Sequence, residues 1–354
     1  MLTALSAHRF RNLEPLSWQP GPGCQLLLGD NGAGKTSLLE AVYLLATIRS
    51  LRTAQLADCC RHGEAGFHLA GEVEAEQRTR LEVSWSAGKL ERRLNGRSTS
   101  LAEHLAVLPV VAWTSEDAQL LGGPPERRRR FLDRGVVSIR PAALATLARY
   151  RRALGQKRLL LQRQQRGLEP WNQLLAAAAA ELSRLRRDYV ERLARAVEEV
   201  LESCRLTLPR PRLDYRPSPA RGSEEAERVW QQLQAVAAEE QRRGQALLGP
   251  HRDELAITWG QGRELKREAS AGERKALGLV LMAAHGRVLA GCQRQAIFLL
   301  DDADAELSAA TLRALWPAFS EAGQLFASSN RPEVWKGIDL AARWHLREGC
   351  LEPA

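Results

Sequence analysis

Eight consecutive residues near the start of the chain have the types and spacing of a phosphate-binding loop. Residues 29–36 follow the pattern G-x-x-x-x-G-K-T. Glycines let the backbone fold around an anion, and the amides of the loop and of a following helix direct positive charge at phosphate. In such a P-loop, Lys35 reaches the β- and γ-phosphates of a nucleotide and Thr36 is a ligand of Mg²⁺. The predicted nucleotide-binding residues are Gly29, Asp30, Asn31, Gly32, Ala33, Gly34, Lys35, Thr36 and Ser37.

Two adjacent carboxylates, Asp301 and Asp302, have the chemistry that a P-loop requires from the rest of the chain. They follow the apolar run 296–300, and ligands bind outside the carboxyl ends of buried strands. We predict that Asp301 holds Mg²⁺ together with Thr36, and that Asp302 polarises the attacking water. The alternative for Asp302 is a solvated residue at the end of a strand. Lys35, Asp301 and Asp302 are therefore the predicted catalytic residues.

A third candidate site is the start of a helix near residue 270. Ser270 and Glu273 have the spacing of a capping box, and Gly272 lies between them. One interpretation is that the pair only caps the helix. The other is that the capped helix presents free amides to an anion, and that in a head-to-tail pair it closes on the partner's nucleotide.

The segments around these residues predict the elements that position them. The apolar run 25–28 predicts a buried strand directly before the P-loop, and residues 37–45 have helical apolar spacing after it. Further buried strands are predicted at 107–113 and 325–330. These elements predict an α/β fold with a mixed sheet.

A second, antiparallel layer is predicted from alternating apolar and polar residues. The alternation runs from 67 to 94 and is followed by Asn95-Gly96, a hairpin signal. Residues 1–28 also predict strands, including the segment 8–13. We therefore expect an antiparallel β layer beside the nucleotide-binding core.

The middle of the chain predicts a helical insertion. Apolar residues recur at helical spacing, and two long helices of roughly 30 residues would each extend about 45 Å. Residues 209–222 predict a proline-rich connection. The predicted domains are an N-terminal ATPase part at 1–115, a helical arm at 116–246, and a C-terminal ATPase part at 247–354.

The charge of the chain favours a polyanionic partner. Its 354 residues have a formal net charge of +9 and a sequence pI near 9.6. An arginine-rich composition from genome bias is an equally simple explanation. Four consecutive arginines are a candidate DNA contact, or alternatively form ion pairs with Glu126 and Asp133. They are Arg127, Arg128, Arg129 and Arg130.

Other sequence features favour a cytoplasmic protein without a membrane partner. No apolar run approaches the roughly eighteen residues that a membrane span requires. The six cysteines form no C-x-x-C pair, and Cys59 and Cys60, although close to His62, are more simply explained as free thiols than as metal ligands.

The order of these motifs resembles that of the ABC-type ATPases of the SMC and Rad50 group, and within this group it resembles the RecF family. The resemblance spans nearly the whole chain, and its G-P-H-R-D and E-R-R-x-F-L-D segments are unexpected in other ABC-type ATPases. The segments that carry it are Phe10–Leu13, Gly29–Ala41, Arg49–Arg52, Glu116–Asp117, Pro125–Asp133, Gly249–Asp253 and Leu299–Asp302.

The resemblance implies an ABC-type P-loop ATPase head with a lever arm. It implies that ATP is the nucleotide, that Arg11 and Asn12 also contact it, and that Ser270 and Gly272 complete the site of a partner in an ATP-dependent homodimer. It further implies a weak, DNA-stimulated ATPase that binds duplex DNA and single-strand/double-strand junctions. RecR and RecO-like proteins would be its partners in loading a recombinase.

The sequence departs from the family pattern at three positions. Ala271 and Glu273 replace two glutamines of the family signature, and Ser308 replaces an aspartate after the Asp301-Asp302 pair. These departures predict slow turnover rather than loss of nucleotide binding. The alternatives are a transporter ATPase, which the helical insertion argues against, and an overcoming-lysogenization-type nuclease, which would need a longer segment after Asp302.

Overall fold

The computed structural model describes residues 1–74, 77–114, 117–204, 206, 208–259, 269–305, 307–319 and 323–354. Glu116, which belongs to a segment singled out above, lies outside these residues. The chain forms two compact units. The first comprises Met1–Gln119, Ala196–Leu208 and Ala269–Ala354, and the second comprises Leu120–Arg195 and Pro209–Glu268. Among the described residues, those at 117–119, 196–208 and 247–259 thus cluster differently from the predicted domain limits, which stay a prediction.

Both units contain strands and helices. The strands are β1 (Leu2–His8), β2 (Leu16–Trp18), β3 (Gly23–Leu28), β4 (Gly66–Glu74), β5 (Arg78–Ser86), β6 (Lys89–Leu94), β7 (Arg97–Ser98), β8 (Val110–Trp113), β9 (Pro211–Arg216), β10 (Glu254–Trp259), β11 (Ile297–Leu300), β12 (Gln324–Ser329), β13 (Ala342–Arg347) and β14 (Cys350–Pro353). The helices are α1 (Lys35–Thr47), α2 (Leu101–Val107), α3 (Pro125–Ile139), α4 (Ala143–Gln162), α5 (Glu169–Ser203), α6 (Ala226–Arg243), α7 (Ala271–Gly291) and α8 (Ala309–Leu315).

The first unit contains the predicted mixed sheet, in the order β14-β13-β3-β12-β11-β8. Its strands are parallel except β14, which pairs antiparallel with β13. The strands β3, β11 and β12 are apolar and almost entirely buried, as expected for parallel strands covered on both faces. Their carboxyl ends bring the P-loop, Asp301 and Ser329 to one edge of the sheet.

The predicted antiparallel layer is confirmed as the sheet β2-β1-β4-β5-β6-β7. Asn95 and Gly96 connect β6 and β7 with φ values of 50° and 77°, the conformation that a tight hairpin turn requires. The helix α1 packs between this sheet and the mixed one, and eleven of its thirteen residues are buried. The two sheets and α1 share one apolar core.

Three predictions about secondary structure are wrong in detail. The strand predicted to reach residue 13 ends at His8, because Arg9 and Arg11 have left-handed backbones with φ of 56° and 51°. The buried strand predicted from 107 starts at Val110, after the short helix α2. The segment 209–222, predicted as a proline-rich connection, contains the strand β9. This strand pairs with β10, so the backbone N–H and C=O groups of the two strands form hydrogen bonds with each other.

The second unit contains α3, α4, most of α5, and α6, so the prediction of a mostly helical insertion is confirmed. The long helices have unequal lengths, 20 residues in α4 and 35 in α5, instead of about 30 each. No helix among the described residues is long and apolar enough to cross a bilayer.

The G-P-H-R-D segment, 249–253, belongs to the second unit: Gly249, Pro250 and Asp253 are buried, His251 is partly buried, and Arg252 is exposed. Asp253 is fully buried and accepts hydrogen bonds from Arg186 Nη1 at 2.7 Å, Tyr215 Oη at 2.5 Å and the Ser218 amide at 2.7 Å. Arg186 also donates to Asp133 at 2.7 Å. Burial alone would lower the pKa of Arg186, but Asp133 and Asp253 outweigh this effect and raise it. This charged cluster therefore joins α3, α5, β9 and the loop before β10.

His251 of the same segment is neutral. Burial lowers its pKa to about 4, and its Nδ1 lies 2.6 Å from the hydroxyl of Tyr150. Its Nε2 lies 3.3 Å from the carbonyl oxygen of Ala246. Since an uncharged ring donates from one nitrogen and accepts at the other, Tyr150 donates to Nδ1 and Nε2 donates to the carbonyl. The segment is thus a packing element of the second unit.

Candidate functional site

The P-loop connects β3 to α1 in the first unit. Gly29 has φ of 152°, and a Cβ at this position would lie 2.4 Å from the carbonyl oxygen of Leu346. Gly34, the residue before α1, has φ of 112° and provides no side-chain cap. Both positions therefore require glycine, and the first amides of α1 point into the loop. This is the local geometry that an anion-binding loop needs.

Lys35 lies inside the loop rather than in solvent. Its side chain is buried, and Nζ donates to the carbonyl oxygens of Gly29 at 2.6 Å and Asp30 at 2.9 Å. The ammonium group is thus held at the concave side of the loop by backbone acceptors. A phosphate in the loop would meet this positive charge together with the α1 amides.

Thr36 and Asp301 meet although 265 positions separate them in the chain. Thr36 Oγ1 donates to Asp301 Oδ1 at 2.9 Å, and Ser328 Oγ donates to the same oxygen at 2.7 Å. Burial raises the pKa of Asp301, and the hydrogen bond from Ser328 opposes this effect. A hydroxyl and a carboxylate oxygen side by side are the hard ligands that Mg²⁺ prefers. The residues therefore fit a divalent cation, whose charge would favour the ionised form of Asp301.

Asp302 has a strained backbone that its neighbours hold in place. Its φ of 45° is in the left-handed region, its amide donates to Ser328 Oγ at 2.9 Å, and its side chain is exposed. Lys275 Nζ, from α7, donates to the carbonyl oxygens of Asp302 at 3.0 Å and Ala305 at 2.5 Å. The Ser328 hydroxyl that donates to Asp301 also lies 3.5 Å from Asp302 Oδ1, so the two carboxylates are close neighbours in the turn. Lys275 was missed by the sequence analysis.

Arg11 and Asn12 contact a cluster around the P-loop. Asn12 Nδ2 donates to the carbonyl oxygen of Gly32 at 2.7 Å, and its Oδ1 accepts from Ser37 at 2.7 Å. Arg11 donates twice to the carboxylate of Glu40, at 2.8 and 2.9 Å. The structure thus brings Asn12 to the P-loop and Arg11 to Glu40 on α1.

Glu40 was also missed by the sequence analysis. It is fully buried on α1 and accepts from Arg11, from Ser50, and from Arg52 at 2.9 and 3.2 Å. Burial would raise its pKa, but the hydrogen bonds from Arg11 and Ser50 lower it. Arg52 also donates to Ser37 at 3.0 Å. The sequence feature that could have predicted this buried charge is the position of Glu40 within an apolar stripe of a helix.

Asn330 is a further residue that no local motif indicated. It follows β12, and its Nδ2 lies 3.3 Å from Oδ1 of Asn31 in the P-loop. The preceding Ser329 donates to buried Asp304 at 2.7 Å. The end of β12 therefore contacts both the P-loop and the turn after Asp301.

The capping box at the start of α7 is confirmed. The Ser270 amide donates to Glu273 at 2.8 Å, and the Glu273 amide donates to Ser270 Oγ at 3.2 Å. Ser270 is exposed, and within the described ranges no hydrogen bond joins it or Gly272 to the P-loop. The cap is thus established, and a role of this helix start in a partner's site stays a prediction.

The arginines at 127–130 do not form a continuous cationic surface. Arg128 donates to Glu254 at 2.5 and 3.0 Å, and Arg129 pairs with Glu126 at 2.7 Å. For these two residues the structure supports ion pairing, although Asp133 is not their partner because it pairs with Arg151 and Arg186. DNA contact by the arginines at 127–130 stays a prediction.

Comparisons with known proteins agree on one family. Residues 1–350 match the model of the RecF/RecN/SMC N terminal domain. The chain is 36% identical over 320 residues to the DNA replication and repair protein RecF of Anaeromyxobacter sp. (strain Fw109-5), covering 86% of this chain and 85% of the relative. It is 31% identical over 363 residues to RecF of Pseudomonas fluorescens, covering 99% and 97%.

Solved structures show the same fold. The structure of the recombination mediator protein RecF-ATP in the RecFOR pathway has a TM-score of 0.89 at 22% identity, covering 100% of this chain and 97% of the other. An Smc head bound to the C-winged helix domain of ScpA has a TM-score of 0.59 at 14% identity, covering 100% and 96%. The predicted fold class, an ABC-type P-loop ATPase head with a helical insertion, is confirmed.

Proposed function

Since this chain belongs to the RecF family, we propose that it is an ATP-dependent DNA-binding protein of recombinational repair and replication restart. The observation that carries the proposal is the hydrogen bond between Thr36 and Asp301, which joins a P-loop to a strand-end carboxylate. An unrelated glycine-rich turn would have no reason to meet a partly buried aspartate 265 residues away. The proposal extends to binding at single-strand gaps and junctions, and membership of the family supports it.

ATP would be held by the amides of the P-loop and of α1, with Lys35 on its β- and γ-phosphates. Mg²⁺ would be held by Thr36 and Asp301, where it would neutralise charge that develops on the phosphates. Asp302 would accept a proton from the attacking water. Release from DNA would follow slow hydrolysis, and RecR and RecO-like proteins would be the partners in recombinase loading.

The proposal is tested by ATP turnover and by light scattering on the same protein. The rate of ATP turnover should rise when junction DNA is added. The protein mass of the particle should double when ATP and DNA are both present. A transporter ATPase would ignore DNA, and a nuclease would cut it, so either result would contradict the proposal.

Replacing Asp302 with asparagine is expected to preserve ATP binding and to lower turnover by about 10²-fold or more, because an amide is isosteric but a poor base. ATP-bound complexes on DNA should then live longer. Phosphate release and ATP affinity are compared with those of Asp339→Asn, which changes an exposed carboxylate of the same unit. Equal turnover in wild type and Asp302→Asn would make Asp302 a solvated strand-end residue.

The homodimer predicts a specific effect of Ser270→Arg. A bulky cation should fill the space that the partner's γ-phosphate would occupy, so the variant should bind ATP as a monomer and lose ATP-dependent dimerisation and DNA binding. Light scattering with ATP measures this loss. Mixing the variant with Lys35→Ala should restore some dimer and activity, since one site of the mixed dimer has neither change.

Ser100→Arg is the matched control for Ser270→Arg. Ser100 and Glu103 form the same capping box at the start of α2, also in the first unit. Both variants lose a cap, at a cost of about 1 kcal/mol of unfolding free energy. If Ser270→Arg dimerises as well as Ser100→Arg, the helix start is only a cap.

A further inference from the structure

The basic surplus of the chain is concentrated in one segment. Residues 134–168 contain nine Lys or Arg and no Asp or Glu. Removing these nine from the 51 Lys and Arg of the chain leaves 42, which equals its 42 Asp and Glu. The net charge of +9 is thus the charge of this segment, and the remainder of the chain is balanced. The nine are Arg134, Arg140, Arg149, Arg151, Arg152, Lys157, Arg158, Arg163 and Arg166.

Part of this charge is neutralised within the second unit. Lys157 is buried against Glu240 at 2.6 Å, Arg149 pairs with Glu181 at 2.9 Å, and Arg151 pairs with Asp133 at 3.0 Å. Exposed Arg140 lies at the end of α3, and the rest of the unneutralised part lies on α4 and in the turn after it. Four exposed arginines there have no acidic partner within the part of the chain that the structure describes, and we call them the α4 basic face: Arg152, Arg158, Arg163 and Arg166.

We propose that the α4 basic face binds the phosphate backbone of duplex DNA. This inference rests on the proposed function, since it names the surface with which the chain would hold its DNA. The guanidinium group suits phosphate because its fork of donors matches two phosphate oxygens. Exposed Gln156 and Gln162 add neutral donors of the kind that also contact DNA phosphates.

The arrangement on the helix fits an extended polyanion. Arg152 and Arg163 are eleven positions apart, which places them about 20° apart around the helix axis and about 16 Å apart along it. Duplex DNA has one phosphate charge per 1.7 Å of axis, so a span of this length meets roughly nine phosphates. One carboxylate or one small anion would use only one end of the face.

Gly155 lies between the arginines and supports close approach of another molecule. It is exposed in the middle of α4, where glycine costs about 1 kcal/mol of helix stability relative to alanine. A Cβ there would have no described atom within 4 Å, so packing within the chain does not require glycine. Gly155 leaves a gap in the layer of side chains beside exposed Gln156 and Leu159, and a phosphate backbone can approach the helix there.

Duplex DNA is favoured over single strands because the face has no stacking surface. Single-strand binding sites combine positive charge with aromatic side chains on which bases stack. Tyr150 is the aromatic residue of segment 134–168, and it is buried. Charge without aromatic rings is the composition expected for contact with phosphates alone.

The test compares two neutralising double variants of the full chain in ATP and Mg²⁺. Arg152→Gln/Arg163→Gln changes the α4 basic face. Arg242→Gln/Arg243→Gln is the matched control, since these exposed arginines of the same unit lie on α6 and pair with Glu239. Affinity for a fluorescent duplex is measured by anisotropy over a range of salt concentrations, and thermal unfolding checks that each variant is folded.

We expect the α4 variant to lose about tenfold or more in duplex affinity near 0.15 M salt, and its slope of log K against log salt to fall by about 2. The control variant should have the duplex affinity and the salt slope of the wild type. Arg152→Lys/Arg163→Lys should have the wild-type salt slope. Unchanged affinity and slope in the α4 variant would overturn the inference, as would an equal loss in the control.

Two further results distinguish other partners. The α4 variant could keep the duplex affinity of the wild type and lose only its binding to polyglutamate. That result would assign the face to an acidic protein and overturn the inference. A greater loss for oligo-dT than for the duplex would assign it to single strands, with the same consequence. If the wild type binds no DNA, the proposed function fails as well, whereas a wild type that binds DNA independently of α4 contradicts only this surface.

Discussion

Lys35→Ala is expected to abolish measurable ATP hydrolysis, with a fall in turnover of at least about 10²–10³-fold, and to weaken ATP binding. The reason is the position of the ammonium group, which is buried in the P-loop within 2.6 and 2.9 Å of two loop carbonyl oxygens. The variant removes the charge that would stabilise the transferred phosphate, and preorganised groups of this kind contribute such factors.

The measurement is steady-state phosphate release together with ATP affinity by calorimetry. Lys336→Ala is the control, because Lys336 is an exposed lysine of the same unit. Both variants should unfold at temperatures close to that of the wild type, since neither side chain belongs to an apolar core. Full ATPase activity in folded Lys35→Ala would contradict the proposed nucleotide site itself.

Asp253→Asn is expected to destabilise the second unit by about 3–5 kcal/mol, because it leaves Arg186 without one of its two carboxylates in a buried site. Asp253 is 0% exposed and accepts from Arg186, Tyr215 and Ser218. An asparagine offers one acceptor oxygen and places an amide NH₂, itself a donor, against these donors. The change therefore removes an ion pair and creates repulsive contacts at once.

Because the chain has two units, a single unfolding free energy is poorly defined, and the loss is best measured by hydrogen exchange of peptides from α4 and α5. Asp214→Asn is the control, since Asp214 pairs with Arg216 at the surface and such pairs contribute about 0–1 kcal/mol. Equal protection in the two variants would show that the buried cluster does not hold the unit together.

The sequence by itself determined the features that depend on neighbouring residues. The strand, glycine loop and helix around Lys35 occupy one continuous segment, so their spacing alone predicts a phosphate site. The same holds for the Ser270 capping box, for the turn at Asn95 and Gly96, and for Asp301 at the end of an apolar run. In each case the interacting residues lie within a few positions of one another, so the local sequence pattern includes the residues that form the structure.

Contacts between distant segments were decided only by the tertiary structure. Arg11 and Arg52 hold Glu40 in place, and Lys275 holds the carbonyl oxygens of Asp302 and Ala305. The periodic pattern of apolar residues along the sequence predicts none of these contacts. The strand β9 forms because β10 supplies its hydrogen bonds from across the second unit.

The fate of each arginine was decided in the same way. Arg128 lies in the most conspicuous basic run of the sequence, yet it pairs with Glu254, which is 126 positions away. Arg152 and Arg163 belong to no motif of the sequence, yet both are exposed, Arg152 on α4 and Arg163 at its end, without an acidic partner among the described residues. A count of charges gives the net charge of a chain, but whether a charge is neutralised depends on which carboxylate the fold brings within hydrogen-bonding distance.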